Sequence, residues 1–375
     1  MKIKIKSKSI LILVVGFFLM SLNFNAQEFS VQNVPASLVN QYLKPSNFNL
    51  GKTASLFPTD KKFRNSTDHT AAVQKIIDKN KIVILPDFKL FINSKGLKIG
   101  SDKKIIFRKN SSIQFTGSAN GRFSDVVKIY NAQNVEIINA VIVGSRYSKS
   151  KTQTGQWSSG IAILNSKNVT ITNAKISDTF GDGIFIGSED GIFSENIVVD
   201  GGWVNKVRRN GISVTSAKNV VLKNILISNT YGHDPQCGID IEPSWEKDIL
   251  KNIYLKNIYT YHNLAAGISI NLNAFNRQIA SNVKTTDITI ENHTDEASRH
   301  GLLTSLNTDN QPYDAQGIIK IKNAKWKQNQ SPYWFTPNKH SIEIEFSGVI
   351  IENQNQKKDF ETNVKSLHHV KILME

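Results

Sequence analysis

Hydrophobic and polar residues alternate with period two through most of this chain, and one short alternating strand recurs. It reads "SGIAIL" at Gly160, "DGIFIG" at Gly183, "NGISVT" at Gly211, "CGIDIE" at Gly238 and "AGISIN" at Gly267. The glycines are spaced 23, 28, 27 and 29 residues apart. A second alternating strand belongs to the same repeat and opens on an asparagine: Asn134, Asn168, Asn196, Asn219 and Asn252. No helix-period segment falls between these strands. Short strands at a coil-length period, without helices, predict an all-β solenoid: a parallel β-helix whose inward Ile and Val form a continuous core. The repeated asparagines are expected at tight corners, where Asn tolerates left-handed backbone and its amide stacks on the next coil's.

A solenoid end exposes unpaired strand edges and needs a cover. Residues 68–79 of "STDHTAAVQKIIDKN" supply one: Thr67 or Asp68 is placed to cap a helix, and Ala72, Val73, Ile76 and Ile77 form one apolar stripe. Ahead of it, Lys2, Lys4, Lys6 and Lys8 precede the apolar run Ile10 to Leu22, and small Ala26 follows. That order predicts a secretory signal over residues 1–26. The run is shorter than the ~20 residues that span a bilayer, so no membrane span is expected. The remaining divisions are a lead-in at 27–65, the β-helix at 66–350, and a tail or cap at 351–375.

Charge and cysteine content narrow the function. Removing the four signal lysines from the formal charge of +15 leaves about +11. A secreted basic protein, expected as a monomer outside the cell, in the periplasm or at the cell surface, favours an anionic partner such as an acidic polysaccharide. No block of five like charges points to nucleic acid. Cys237 is the only cysteine, so core packing alone must hold the chain together, and a nucleophilic role for it lacks a partner motif.

The candidate chemistry follows from the repeat, because residues at equal offset from each glycine form columns about 4.8 Å apart per coil. Two residues beyond the glycine the column reads Phe185, Ser213, Asp240, Ser269; four beyond, Gly187, Thr215, Glu242, Asn271; two before, Gly181, Arg209, Gln236, Ala265. Asp240 and Glu242 are therefore expected side by side on a flat, solvated exterior sheet, with carboxyls roughly 6–7 Å apart. That spacing lies near the ~6.5–9.5 Å window of inverting glycosidases. Arg209, His233 and Lys247 join them as candidate catalytic groups. Asp182, Arg208, Gln236, Ser213, Thr215, Asn271 and Trp245 are candidate substrate contacts. His262 is read as structural. Aromatic platforms at Phe185, Trp245 and Trp203 keep a non-catalytic glycan-binding protein in view.

The "TDxTAAxQxxID" helix from Thr67 to Asp78, followed by a strand ending in Leu85-Pro86, is similar to the entry of the pectate-lyase-like superfamily of right-handed parallel β-helix proteins. Asp87-Phe88 replaces the usual small turn residue. The resemblance implies a secreted carbohydrate-active protein. Of the polygalacturonase-like acid motifs only Asp182 has a loose counterpart. The epimerase Asp-Pro-His-Asp pattern meets Asp234-Pro235, but Gln236 stands in place of the His. Asp240, Glu242 and Lys247 resemble the calcium-holding acids and catalytic Lys of chondroitinase-B-like lyases, while Ser269 and Asn271 occupy the place of their partner Arg.

Two chemistries remain. In a hydrolase, which needs no cofactor, one of Asp240 and Glu242 is the protonated acid and the other activates water. In a lyase, both hold Ca²⁺ against a uronate, Arg208 or Arg209 neutralises charge, and Lys247 or His233 takes the proton. The hydrolase is the reading carried forward.

Overall fold

Ile161, Ile184, Ile212, Ile239 and Ile268 are register partners in successive parallel strands. All five are fully buried. The structure is a computed structural model describing residues 29–45, 56–119, 121–148, 153–245, 247–273, 275, 284–306, 315–336, 341–365, 367 and 370–373. Among these residues the isoleucine column belongs to a nine-stranded parallel sheet running from Leu97–Lys98 to Ser331–Phe335. The column continues into Val127 and Leu97 on one side and Leu302 and Tyr333 on the other. Each fully buried Ile contributes on the order of 2 kcal/mol, so the core is a sum of many equal increments along one axis.

The repeated glycine has a steric cause. A Cβ on Gly160 would lie 2.8 Å from the Gly183 carbonyl oxygen, and one on Gly183 or Gly238 only 2.5 Å from the same atom of the next coil. Any side chain there would push neighbouring coils apart.

The larger parallel sheet carries the second strand of each coil: Lys167–Ser177, Ser194–Asn205, Ala217–Ser228 and Leu250–Tyr261. Asparagines make its corners, as expected. Asn134, Asn168, Asn196, Asn219 and Asn252 have φ between 54° and 58°. Each of the last four donates its side-chain amide to the Asn one coil earlier, at 2.8–3.0 Å. A second ladder, Asn224, Asn257, Asn292 and Asn323, bends the long strands in mid-course.

Both ends are covered. The N-terminal helix spans Thr70–Lys79, two residues shorter at its start than 68–79. Asp68 Oδ1 accepts from the Thr70 N–H at 2.9 Å, and Val73 and Ile77 are buried. The described part of 351–375 packs on the C-terminal end of the strands. Its helix Gln354–Lys365 sets Phe360 edge-on to Trp326, Tyr333 and Phe346, and strand Val370–Leu373 extends the larger sheet beyond residue 350. In the lead-in, helix Ala36–Tyr42 packs on the strands Ser194–Asn205 and Ala217–Ser228. The signal at 1–26 lies outside the described residues. No described helix is long and apolar enough to cross a membrane.

The ladder yields a stability test. Asn219→Ala places a Cβ-bearing residue without a side-chain amide at φ +57° and should cost about 2 kcal/mol, from strain and lost hydrogen bonds. Asn219→Gly, free of the strain, should cost about half as much. Denaturant midpoints at unchanged slope measure both; equal costs would remove the conformational part of this account.

Candidate active site

Asp240 projects from strand Ile239–Ile241 between Ser213 and Ser269 of the adjacent coils, as the column predicts. The solvated surface expected around it is absent: Asp240 is only 1% exposed. It lies at the floor of a cleft of about 610 Å³, whose lining includes Asp182, Arg209, Asp240, Glu242 and Thr215. The cleft exists because loops rise above the flat sheet. The 144–159 loop, described at 144–148 and 153–159, brings Trp157 to the rim, and Phe123 and Trp245 stand on other walls. These three rings remain 40–60% exposed.

The expected 6–7 Å gap between the acids is also absent. The Glu242 carboxylate stands within hydrogen-bonding reach of the Asp240 carboxyl. Asp240 Oδ2 accepts from Asn210 Nδ2 at 3.1 Å. Its Oδ1 is buried without a well-formed hydrogen bond. Burial, then the Glu242 charge, pushes the Asp240 pKa well above the usual carboxylate range; the Arg209 charge and the Ser269 hydroxyl oppose this. Two acids in contact share a proton. Glu242 is the half-buried member, held by Asn271 Nδ2 at 2.9 Å.

Arg209 joins this pair to a third acid. Its Nη1 lies 3.1 Å from Asp182 Oδ2, and its Nη2 lies 3.7 Å from Glu242 Oε2. Asp182 also accepts from the Asn210 backbone N–H at 3.0 Å. Burial raises the Asp182 pKa, opposed first by the Arg209 charge and then by these donors. For Arg209, burial is outweighed by Asp182, Asp240 and Glu242, and its pKa rises.

The remaining candidates divide. Thr215 and Trp245 line the cleft with the acids. Ser213 is buried inside the network, accepting from Arg209 at 3.3 Å and from Asn210 at 3.1 Å. Six candidates are absent from the cleft lining: Ser213 and Asn271, which bond within the network, and Arg208, Gln236, Lys247 and His233. Arg208 lies over the Phe180 ring at 4.0 Å and donates to Gly155 O at 2.9 Å, so it anchors the 144–159 loop. Gln236 shapes its own turn through Gly232 and Asp234. Lys247 is exposed and packs beside Gly191. His233 sits near Arg208 and Arg209; burial, then their charge, lowers its pKa. Trp203 points away, bonding Ser228 at 2.9 Å. Cys237 is buried, and burial pushes its thiol up.

Asn210 is the residue that offset reasoning missed. It is fully buried, and its Oδ1 accepts from the Cys237 N–H at 3.0 Å. A backbone N–H only donates, so the amide orientation is fixed and Nδ2 must face Asp240. The signal was available one residue before each glycine, where the column reads Ser159, Asp182, Asn210, Cys237. Asp125 continues that column: its Oδ1 accepts from the Ser159 N–H at 2.6 Å, as Asp182 does from Asn210.

Residues 76–242 match the family described as the right handed beta helix region. No curated protein matches the sequence. Among solved structures, the chain is similar to a family 28 exopolygalacturonase from Yersinia enterocolitica, with 15% identity, TM-score 0.55, and 77% of this chain and 63% of that one covered. An endo-xylogalacturonan hydrolase from Aspergillus tubingensis gives 12% identity and TM-score 0.54 over 82% and 92% of the two chains. The surface protein and adhesin PfbA of Streptococcus pneumoniae gives 12% and 0.51 over 82% and 86%. Identities this low speak for architecture alone, and the architecture they share with this chain is the right-handed parallel β-helix.

Proposed function

We propose that this protein is a glycoside hydrolase acting on an extracellular polysaccharide, with the Asp240–Glu242 pair as general acid. One observation carries the reading. A buried carboxyl, its pKa pushed well above the usual carboxylate range by burial and by the Glu242 charge, lies at the floor of an aromatic-rimmed cleft. A neutral acid at neutral pH is what protonation of a departing glycosidic oxygen requires. Two carboxyls in contact leave no room for water or sugar between them, so the complementary carboxylate is a different residue. Asp182 fits that place. Arg209 separates it from Glu242 and compensates its charge.

The calcium alternative fits the residues poorly. Ca²⁺ takes six to eight oxygen ligands from ionised or carbonyl groups. Here one of the two acids is held neutral, and the cation between Glu242 and Asp182 is already Arg209. Lys247, the base that alternative needs, is not among the cleft-lining residues. The acidic character of the substrate rests on the charge of about +11 left when the four signal lysines are removed from +15, while the cleft itself carries Asp125, Asp182, Asp234 and Glu242 beside Arg122 and Arg209. A glycan-binding role without cleavage is supported by the exposed rings of Trp157 and Trp245.

A panel of acidic and neutral polysaccharides separates these outcomes. New reducing ends without an unsaturated product, unchanged by chelator, are expected. Chelator-sensitive unsaturated product would establish the lyase, and retained binding without either product the binder.

Asp240→Asn should lower kcat by about a hundredfold or more while changing KM little, because the amide keeps the hydrogen bonds and loses the transferable proton. An unchanged kcat would remove Asp240 from the chemistry.

The same substitution should stabilise the fold. With its pKa raised, Asp240 binds more protons folded than unfolded, so stability falls as pH rises from the unfolded pKa through the folded one. Asp240→Asn carries no such penalty. Its unfolding midpoint should exceed the parent's at neutral pH, and the gap should close toward pH 4. A gap independent of pH would contradict a protonated Asp240.

A further inference from the structure

The outward face of the nine-stranded sheet continues beyond the acids toward the C-terminal cap. Register carries the Asp240 column through Ser269 and Leu303 to Trp334. Trp334 thus stands three coils from Asp240, about 14 Å at the usual strand spacing. Its orientation follows from alternation: Tyr333 is buried in the core, and Trp334 beside it turns outward, 43% exposed. The His300 ring lies 6.2 Å away at 37°, supporting one side of the indole.

Beside this column, two residues further along each strand, runs a row of amide and hydroxyl groups. Asn271, which holds Glu242 at 2.9 Å, pairs in register with Ser305. The Ser305 hydroxyl accepts from Asn273 Nδ2 at 2.8 Å and from Thr336 Oγ1 at 3.2 Å. The remaining amide oxygen of Asn273 is buried without a hydrogen-bond partner. An exposed indole supplies the apolar face on which a sugar ring stacks, and the partly exposed Asn271 and Thr336 supply polar groups in the next column. It also lies in line with the carboxyl pair along the solenoid axis.

We propose that Trp334 is a distal stacking subsite for the polysaccharide held at Asp240 and Glu242. The glycan then runs parallel to the helix axis, with one sugar on the indole several units from the bond at the carboxyl pair. This rests on the reading of that cleft as a glycan site, and it makes chain length a determinant of affinity.

The test uses polygalacturonate and xylan fragments of graded length, titrated calorimetrically into the mature protein bearing Glu242→Gln. In the series that binds, affinity should rise with length. Adding Trp334→Ala should weaken binding of fragments of about eight sugars by roughly tenfold, a loss of one ring-stacking contact. Binding of two- or three-sugar fragments should not change, and Trp334→Phe should restore most of the loss. Equal losses for short and long fragments, no loss for either, or no binding in either series would overturn the subsite. Trp334-dependent binding of fragments that the unsubstituted protein never cleaves would sustain the subsite and overturn the hydrolase.

Discussion

Stacking of parallel strands about 4.8 Å apart is the constraint on which every other feature depends. Each residue sits directly above and below residues at its own offset, so a side chain is acceptable only if it tolerates near-copies of itself at that spacing. Ile does so inside by close packing. Gly does so where a neighbouring carbonyl oxygen leaves no space for Cβ. Asn does so at corners, because an amide donates upward and accepts downward at once. Surface lysines still repeat, as at Lys218–Lys251 and Lys223–Lys256, but buried like charges are disfavoured. The Asp240 column accordingly holds Phe, Ser and Ser beside its single acid.

This constraint is also why so much of the fold was legible. The repeating residues report the stacking requirement directly, so five glycines and five asparagines sufficed to give coil, corner and register. Asp240, Glu242, Arg209 and Asn271 could be brought together by offset alone, since they stand at fixed offsets from the repeated glycines. What offsets could not supply is whatever departs from the repeat. Trp157 reaches the cleft on an irregular loop with no counterpart in neighbouring coils. The depth of the cleft, and hence the burial of Asp240, comes from that loop and its neighbours. Arg208 stands next to Arg209 in sequence, yet it turns the other way to hold Gly155 and Phe180. His233, Gln236 and Lys247 lie on connections between strands, where equal sequence distance implies nothing about position. Asn210 is a different case. It sits on the repeat, at an offset whose hydrogen-bonding role shows only when three coils are compared.

That offset links the solenoid's own needs to the chemistry. One residue before the glycine the chain turns into the sheet, and its backbone N–H has no ladder partner there. Asp125, Asp182 and Asn210 each accept that N–H from the following coil through a side-chain oxygen. Short side chains with an acceptor oxygen are therefore favoured for structural reasons alone. An aspartate at this position arrives buried, fixed by backbone, and next to whatever the neighbouring columns carry.

The charge state of the site follows from the same geometry. Arg209 pairs with Asp182 and Glu242, and Asp182 engages it through both carboxylate oxygens while also accepting the Asn210 N–H. Those bonds oppose the rise that burial imposes on the Asp182 pKa. Glu242 is partly exposed at the margin of the cleft. A third negative charge at Asp240 would be buried, beside Glu242, with its Oδ1 lacking a donor. A proton on that oxygen removes the charge and turns an acceptor without a donor into a donor facing a carboxylate. Burial and the Glu242 charge thus raise the Asp240 pKa, because three acids surround one guanidinium, and on the hydrolase reading that rise is what makes a proton available for donation.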